Sequence, residues 1–387
     1  MAEWQTVRLG EIVKTNQSTY SPKENWQFVN YLDTGNITMN KIDEIQNINT
    51  AKDKLPSRAR RKVKTNSIIY STVRPNQLHY GIIKKQPDNF LVSTGFTVID
   101  VNYDKAVPDF IYYALTKQEV TEQLQAIAEQ SVSAYPSLKP SDIENLELML
   151  PDKKTQERIV AILRSIDEKI KENNAINNNL EQQAQAIYQQ MFIDNASSDW
   201  TEGTLSDIAD ITMGQSPSGS SYNEKGNGTI FFQGRAEFGF RFPTVRLYTT
   251  EPKRIACAND TLMSVRAPVG DLNVAHTDCC IGRGLAAIHS KNNHQSFVLY
   301  TMFSLKKHLD VFNGEGTVFG SINRNSLNEM PLLIPSSEKL GEFEALVAPM
   351  DAAIRNNYDE ICRLEQLRDS LLPKLMSGEL DVSDIEI

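Results

Sequence analysis

At 387 residues the chain is long enough for two or three domains, each with a core of its own. Hydrophobic residues make up 40% and charged residues 23%, as in ordinary soluble globular proteins. No apolar run approaches the roughly 20 residues of a membrane span, and MAEWQTVRLG lacks a signal-peptide core, so a cytoplasmic location is expected. The formal net charge of −9 argues against a nucleic-acid ligand, but only until it is divided along the chain. Residues 1–150 and 200–335 are each neutral, residues 151–199 carry −2, and residues 336–387 carry −7.

The first block, residues 1–151, opens on Trp4-x4-Leu9-x-Glu11-Ile12. Its residues 52–85 hold ten Lys or Arg against the single acid Asp53. Within "SRARRKVK", Arg58, Arg60, Arg61, Lys62 and Lys64 are candidates for neutralising phosphates or reaching guanine edges. A solvated basic loop is the alternative. β-like runs follow (SIIYSTV, FTVIDV), with Arg74 just after the first of them and Gln77 and Tyr80 in the polar loop beyond. The block ends in "ENLELMLP", a strand-like run stopped by proline.

Residues 152–195 then read as one long helix, far beyond the 11 or so residues typical of globular proteins. Its apolar positions keep a seven-residue period in two rows: Ile159, Ile166, Asn173, Leu180, Ile187 and Leu163, Ile170, Asn177, Ala184, Met191. This is the seam of a coiled coil.

The second block, 196–335, restarts with Trp200-x4-Leu205-x-Asp207-Ile208, and its residues 225–266 hold seven basic against three acidic side chains. In "FFQGRAEFGFRF", Gln233, Arg235 and Arg241 alternate with aromatics, which suits either base reading or sheet packing. Ser220 and Tyr222 are weaker candidates. Arg266 is expected at the position equivalent to Arg74, for a DNA contact or a shared structural role. A second heptad helix spans 336–378, with rows Phe343, Met350, Asn357, Leu364, Leu371 and Val347, Ile354, Ile361, Arg368, Leu375; an acidic tail, 379–387, closes the chain.

From residue 133 to 192 the two halves match without a gap at an offset of 184, so the plan is a duplication. The expected fold is α+β: two repeated α/β domains separated by two long antiparallel helices in a pseudo-twofold coiled coil. The register that sets Ile159 against Leu375 sets Asn177 against Asn357, and such a pair penalises other registers. Each helix rises about 1.5 Å per residue, so a spacer of roughly 50 Å follows, enough to span major-groove segments about one turn apart.

Catalytic motifs are missing. There is no Walker A loop, no Asn-Pro-Pro-Tyr, no H-E-x-x-H and no G-x-S-x-G, while "GEGTVFG" (314–320) and "SVSAYP" (131–136) read as turns. Cys257, Cys279, Cys280 and Cys362 form no C-x-x-C and read as reduced, mostly buried thiols, and no metal site is expected. Binding is favoured over catalysis.

The two W-x4-L-x-[E/D]-I starts, "LPDKKTQERIVAILRSIDEKI", "LIPSSEKLGEFEALVAPMDAAI" and "LEQLRDSLLPKLMSGEL" resemble the specificity subunits of Type I restriction–modification systems. That resemblance implies two target-recognition domains, each reading half of a bipartite DNA sequence, and a helical spacer that sets the gap. It implies partners as well: double-stranded DNA, two modification (methyltransferase) subunits carrying S-adenosylmethionine, and restriction subunits using ATP and Mg. The chain itself would be non-catalytic. Gln156-Glu157-Arg158-Ile159 fits the family's Q-x-x-I, whereas the second repeat has Leu340-Gly341-Glu342-Phe343. A coiled-coil adaptor that binds protein rather than DNA is the rival reading.

Overall fold

The computed structural model describes residues 4–131, 136–314 and 320–385, so Val132–Tyr135 and Glu315–Phe319, the centres of the two expected turns, lie outside the described residues. The chain divides into two units, residues 1–170 with 362–387 and residues 171–361. The long helices, Lys153–Tyr188 and Ser337–Ser377, contribute to both units. The first continues into a π-helical turn at Gln189–Asp194. No described helix is long and apolar enough to cross a membrane.

In the first unit, Gln5–Arg8 pairs antiparallel with Glu147–Leu150, so the block starts and ends on neighbouring strands. Between them lie two four-stranded sheets. One runs Gln46–Asn49, Phe28–Leu32, Phe90–Ser93, Ala59–Lys62; the other runs Val13–Thr15, Phe96–Val101, Ile68–Ser71, Tyr80–Ile82. The central strands of the second sheet, Phe96–Val101 and Ile68–Ser71, carry buried apolar side chains on both faces because both faces are covered. Ile68, Tyr70, Ile99 and Val101 face a core shared with Ile159 and Leu163, whereas Ile69, Phe96 and Val98 face a separate core with Leu32 and Phe90. Leu9, buried in the first core, donates its N–H to Leu146 O at 2.8 Å, which explains the Leu of the opening motif.

The second unit repeats the plan. Thr201–Thr204 closes on Pro331–Ile334, and Leu205 N–H reaches Met330 O at 2.9 Å. A four-stranded sheet, Ala209–Met213, Leu285–Ser290, Thr261–Ser264, Leu272–Val274, again separates two cores: Met263, Ala286 and Ile288 face one, Leu262, Leu285 and Ala287 the other. The companion sheet has five strands, with Thr229–Phe232 parallel to Cys279–Ile281 just as Phe28–Leu32 is parallel to Phe90–Ser93.

Each unit packs the two helices antiparallel within itself. In the first unit Ile159 and Leu163 share a core with Leu375 and Met376. In the second, Ala184 and Tyr188 share one with Phe343, Val347 and Ile354. Ile166 and Ile361 are buried, and Ile170, Leu180, Met350 and Leu364 half-buried. Asn357 Nδ2 donates to Asn177 Oδ1 at 2.8 Å, and Asn173 Nδ2 donates to Glu360 Oε2 at 2.8 Å. Asn173 and Asn177 are only 1% and 2% exposed, so each amide needs the partner it has. A slip of seven residues would set Asn177 against Leu364 or Met350 and Asn357 against Ala184 or Ile170. Replacing Asn177 and Asn357 together by Leu is expected to raise the melting temperature by a few degrees while weakening the choice of register. A calorimetric melt several degrees lower than the parent's refutes this role for the pair.

The cysteines are free. Cys279 and Cys280 are buried, with burial and then Asp260 pushing the Cys279 thiol up to about 12; Cys362 is half-buried and Cys257 is exposed, contrary to the expectation of mostly buried thiols. Cys257 lies just past the strand Ile255–Ala256, in a turn where Asp260 N–H donates to Cys257 O at 3.1 Å and the Cys257 N–H donates to Asp260 Oδ2 at 2.8 Å.

Candidate nucleic-acid interface

The second block has a recess where its parallel strands end. Gln233, Gly234 and Arg235 follow the strand Thr229–Phe232, and Arg283 and Gly284 follow Cys279–Ile281. Ser264, Arg266 and Ala267 complete the rim with Ser216, around a cavity of about 250 Å³. Arg283 stands between two glycines for a steric reason: a Cβ on Gly282 or on Gly284 would come within 2.9 Å of the Gln233 main chain. The arginines differ in state. Arg235 Nη1 bonds Asp271 Oδ2 at 2.6 Å, while the exposed guanidinium groups of Arg266 and Arg283 meet no carboxylate among the described residues. A smaller recess of about 160 Å³ lies between Ile211, Thr212, Met213, Arg254 and Arg324.

Backbone hydrogen bonds identify the matching positions of the first block. Thr72 N–H donates to Gly95 O as Val265 N–H does to Gly284 O, at 2.8 and 2.9 Å. Leu138 and Ile322 donate to Thr72 and Val265, and Arg74 and Ala267 to Pro136 and Gly320. Val73 and Arg266 make the same isolated bridge, to Ser137 and Ser321. Arg266 is therefore equivalent to Val73 and Arg74 to Ala267, a correction of one residue to the expected match. Arg74 is exposed, in a left-handed conformation at φ 48° that starts the turn Pro75–Gln77, and Gln77 is exposed in that turn.

"SRARRKVK" is not a loop. Ala59–Lys62 is the edge strand of the first sheet, paired with Phe90–Ser93 across a bulge. Arg60 and Arg61 are half-buried along it; Arg58, before it, is exposed and close enough to Asp33 to help lower that carboxyl. Burial raises Asp33, and hydrogen bonds from Thr34 N–H, Ser93 and Tyr31 more than offset it. Lys62 bonds Glu24 and sits 5.1 Å from the Trp26 ring centre; that bond, then the Ser21 N–H, holds Glu24 below its ordinary value. Lys64 lies 3.5 Å from Asp100.

Arg241 is a clear correction. It is 5% exposed, with Nη1 on Asp351 Oδ1 at 3.0 Å, Nη2 on Tyr300 Oη at 3.1 Å and Nη2 2.9 Å from Glu181 Oε2. It binds the second block to both long helices and offers nothing to a ligand. Tyr80 is likewise core, stacked on Tyr70 at 5.6 Å. Tyr222 gives its hydroxyl to Pro217 O and packs on Phe231, whereas Ser220 is exposed.

A family model of the Type I restriction modification DNA specificity domain matches residues 1–182 and again residues 197–355. The chain belongs to this family. Each copy of the specificity domain takes in one block and much of the helix after it. A putative type I restriction enzyme MjaX specificity subunit from Methanocaldococcus jannaschii is 28% identical, over 98% of this chain and 94% of its own. The HindI specificity subunit from Haemophilus influenzae is 25% identical, over 98% of this chain and 100% of its own. The crystal structure of a Type-I restriction-modification system S subunit from M. genitalium shares the fold, with a TM-score of 0.62 at 16% identity, covering 99% of this chain and 97% of that one. The relatives are specificity subunits, the non-catalytic component that recognises DNA.

Two features of this specificity-domain chain escaped the sequence reading. Arg283 was hidden in "CIGRGLAAI", aligned with "LVSTGFTVI"; its signal was an arginine where the first copy has Thr94. Gln156, of the family-like Q-x-x-I, is buried rather than presented to a partner: Nε2 donates to Pro151 O at 2.8 Å and Oε1 accepts the Val107 N–H at 2.9 Å. In the second copy, where Leu340 stands in place of Gln156, the helix Gln295–Ser304 is tied by Glu344 instead, whose Oε1 accepts the Phe297 N–H at 2.9 Å. No cluster of His, Cys, Asp or Glu suited to a metal ion occurs among the described residues.

Proposed function

We propose that the chain is the DNA-reading subunit of a Type I restriction–modification complex, with each specificity domain reading one half of an asymmetric, bipartite target. The observation that carries this reading is the duplicated family match laid over two blocks that share main-chain hydrogen bonds yet differ in the side chains at the same strand ends. A fold kept constant while its rim varies is what two readers of different sequences require. The heptad-patterned helices set the unread gap and seat two modification subunits. S-adenosylmethionine belongs to those partners, for adenine methylation, and ATP and Mg to restriction subunits that cut unmodified DNA. The assembly works in the cytoplasm.

Mapping methylated adenines across the genome with and without this gene tests the reading. One bipartite motif with a fixed gap is expected to vanish on deletion; an unchanged map refutes the assignment. Purified complex is also expected to bind duplex DNA with strong salt dependence, which a protein-binding adaptor lacks.

A further inference from the structure

The duplication gives the second block's recess an internal control. Residues the fold requires recur in both copies; residues present for one ligand need not. Arg266 and Arg283 occupy positions where the first block has Val73 and Thr94. Val73 and Arg266 make the same bridge, and Gly95 and Gly284, next to Thr94 and Arg283, accept equivalent N–H groups. The Thr94 N–H meets Arg58 O, while the Arg283 N–H meets Ser216 Oγ. The fold therefore does not need these arginines. Nor are they neutralised, since Asp271 is engaged with Arg235 and no other carboxylate reaches them among the described residues.

Resting on the DNA-reading function proposed above, we propose that this recess reads a guanine of the second half-site in the major groove through Arg266 and Arg283. Guanine offers two adjacent acceptors there, O6 and N7, which match a guanidinium fork. Adenine sets an amino donor beside N7, cytosine offers only a donor, and thymine pairs one acceptor with a methyl group. A guanidinium facing any of these leaves a charged donor poorly satisfied. The shape of the site agrees. Gly234, Ala267 and Gly284 line it without bulk, and no side chain comes within 4 Å of the space a Cβ on Gly234 would take. A base edge can thus approach the main chain. A phosphate contact, which fixes register without reading sequence, does not require a hollow lined by small residues. In the first block the positions of Arg266 and Arg283 carry Val73 and Thr94, and Arg74 stands instead where this rim has Ala267, so this pair of guanidinium groups occurs in one half only.

The test uses the full chain with its modification subunits and the variants Arg266→Val and Arg283→Thr, singly and together. These copy the side chains that the first block already holds on the same backbone, so folding is kept; equal melting temperatures check it. Methylation maps are expected to show one G·C position, in one half of the motif only, relaxing to other bases. Discrimination at that position should drop about 10- to 100-fold per arginine, with the other half and the gap unchanged. Relaxation at an A·T position, in both halves, or at no position overturns the proposal. So does a uniform loss over all sequences with a shallower salt dependence, the mark of phosphate contacts. Absence of any bipartite motif in the unmodified complex instead refutes the DNA-reading function itself.

Discussion

Replacing Arg241 by methionine is expected to destabilise the second unit by about 3–5 kcal/mol, read as a lower denaturant midpoint in equilibrium unfolding. Methionine keeps an unbranched stem of similar length, so the loss isolates the charge. Without the guanidinium, Glu181 and Asp351 share a low-dielectric site with no cation between them, and the Tyr300 hydroxyl is left with Asp351 alone. Burial already raises Glu181 above the usual carboxylate range even though Arg241 counters it. Because the folded pKa of Glu181 is raised, its contribution is full below the unfolded value and is lost as pH rises through the folded one. Removing Arg241 raises that folded pKa further. The deficit of the variant is therefore expected to be largest near neutral pH and to shrink as pH falls toward 5. A deficit independent of pH would mean that packing, not charge, is the cause. Substituting Glu181 and Asp351 by leucine in the same background should recover most of the loss. In the first unit the same task falls to Arg368, 3.2 Å from Asp167, which also accepts the Tyr113 hydroxyl at 2.6 Å.

Phe343→Ala is expected to cost a comparable 3–5 kcal/mol through a cavity instead of a charge. The ring is fully buried, with Tyr188, Phe192, Phe297 and Tyr300 around it at centroid distances of 5.9, 5.1, 6.4 and 6.1 Å, all near edge-to-face. Tyr188 and Phe192 come from the first long helix and its π-helical turn, and Phe297 and Tyr300 from the helix Gln295–Ser304, so no single segment can close the void. For a unit of this size the melting temperature should fall by roughly 6–20 °C. Leu346→Ala, one turn along on the same helix but 53% exposed, should move it little. Equal effects of the two substitutions would contradict the assignment of Phe343 as the keystone of that core.

Legibility in the sequence followed the range of the interactions. The helices could be read because heptad periodicity is local, and the facing of Asn177 and Asn357 followed from aligning two such patterns. The strand pairs that close each block lay in plain apolar runs. Arg241 misled because its aromatic neighbours suggested a surface reader, while Asp351, the carboxylate that buries it, is 110 residues away. "SRARRKVK" looked like a loop because its charges mask an edge strand, where one face and one ladder side stay open to solvent. Arg74 and Arg266 were matched one residue out because the blocks differ in loop length, so the offset that holds for the helices fails inside them. Arg283 faced Thr94 in the alignment of "CIGRGLAAI" with "LVSTGFTVI", but a single arginine has no periodicity to mark it, and its place on a rim shared with Arg266 is set by contacts far apart in the chain.

Each block enters and leaves through adjacent strands, Gln5–Arg8 beside Glu147–Leu150 and Thr201–Thr204 beside Pro331–Ile334. A segment inserted in this way hangs from its stem like a bead on a clasp, and whatever lies beyond the clasp can change length or content while the rest of the chain keeps its course. New specificities can thus arise by recombination at the stems, with the rest of the chain inherited intact.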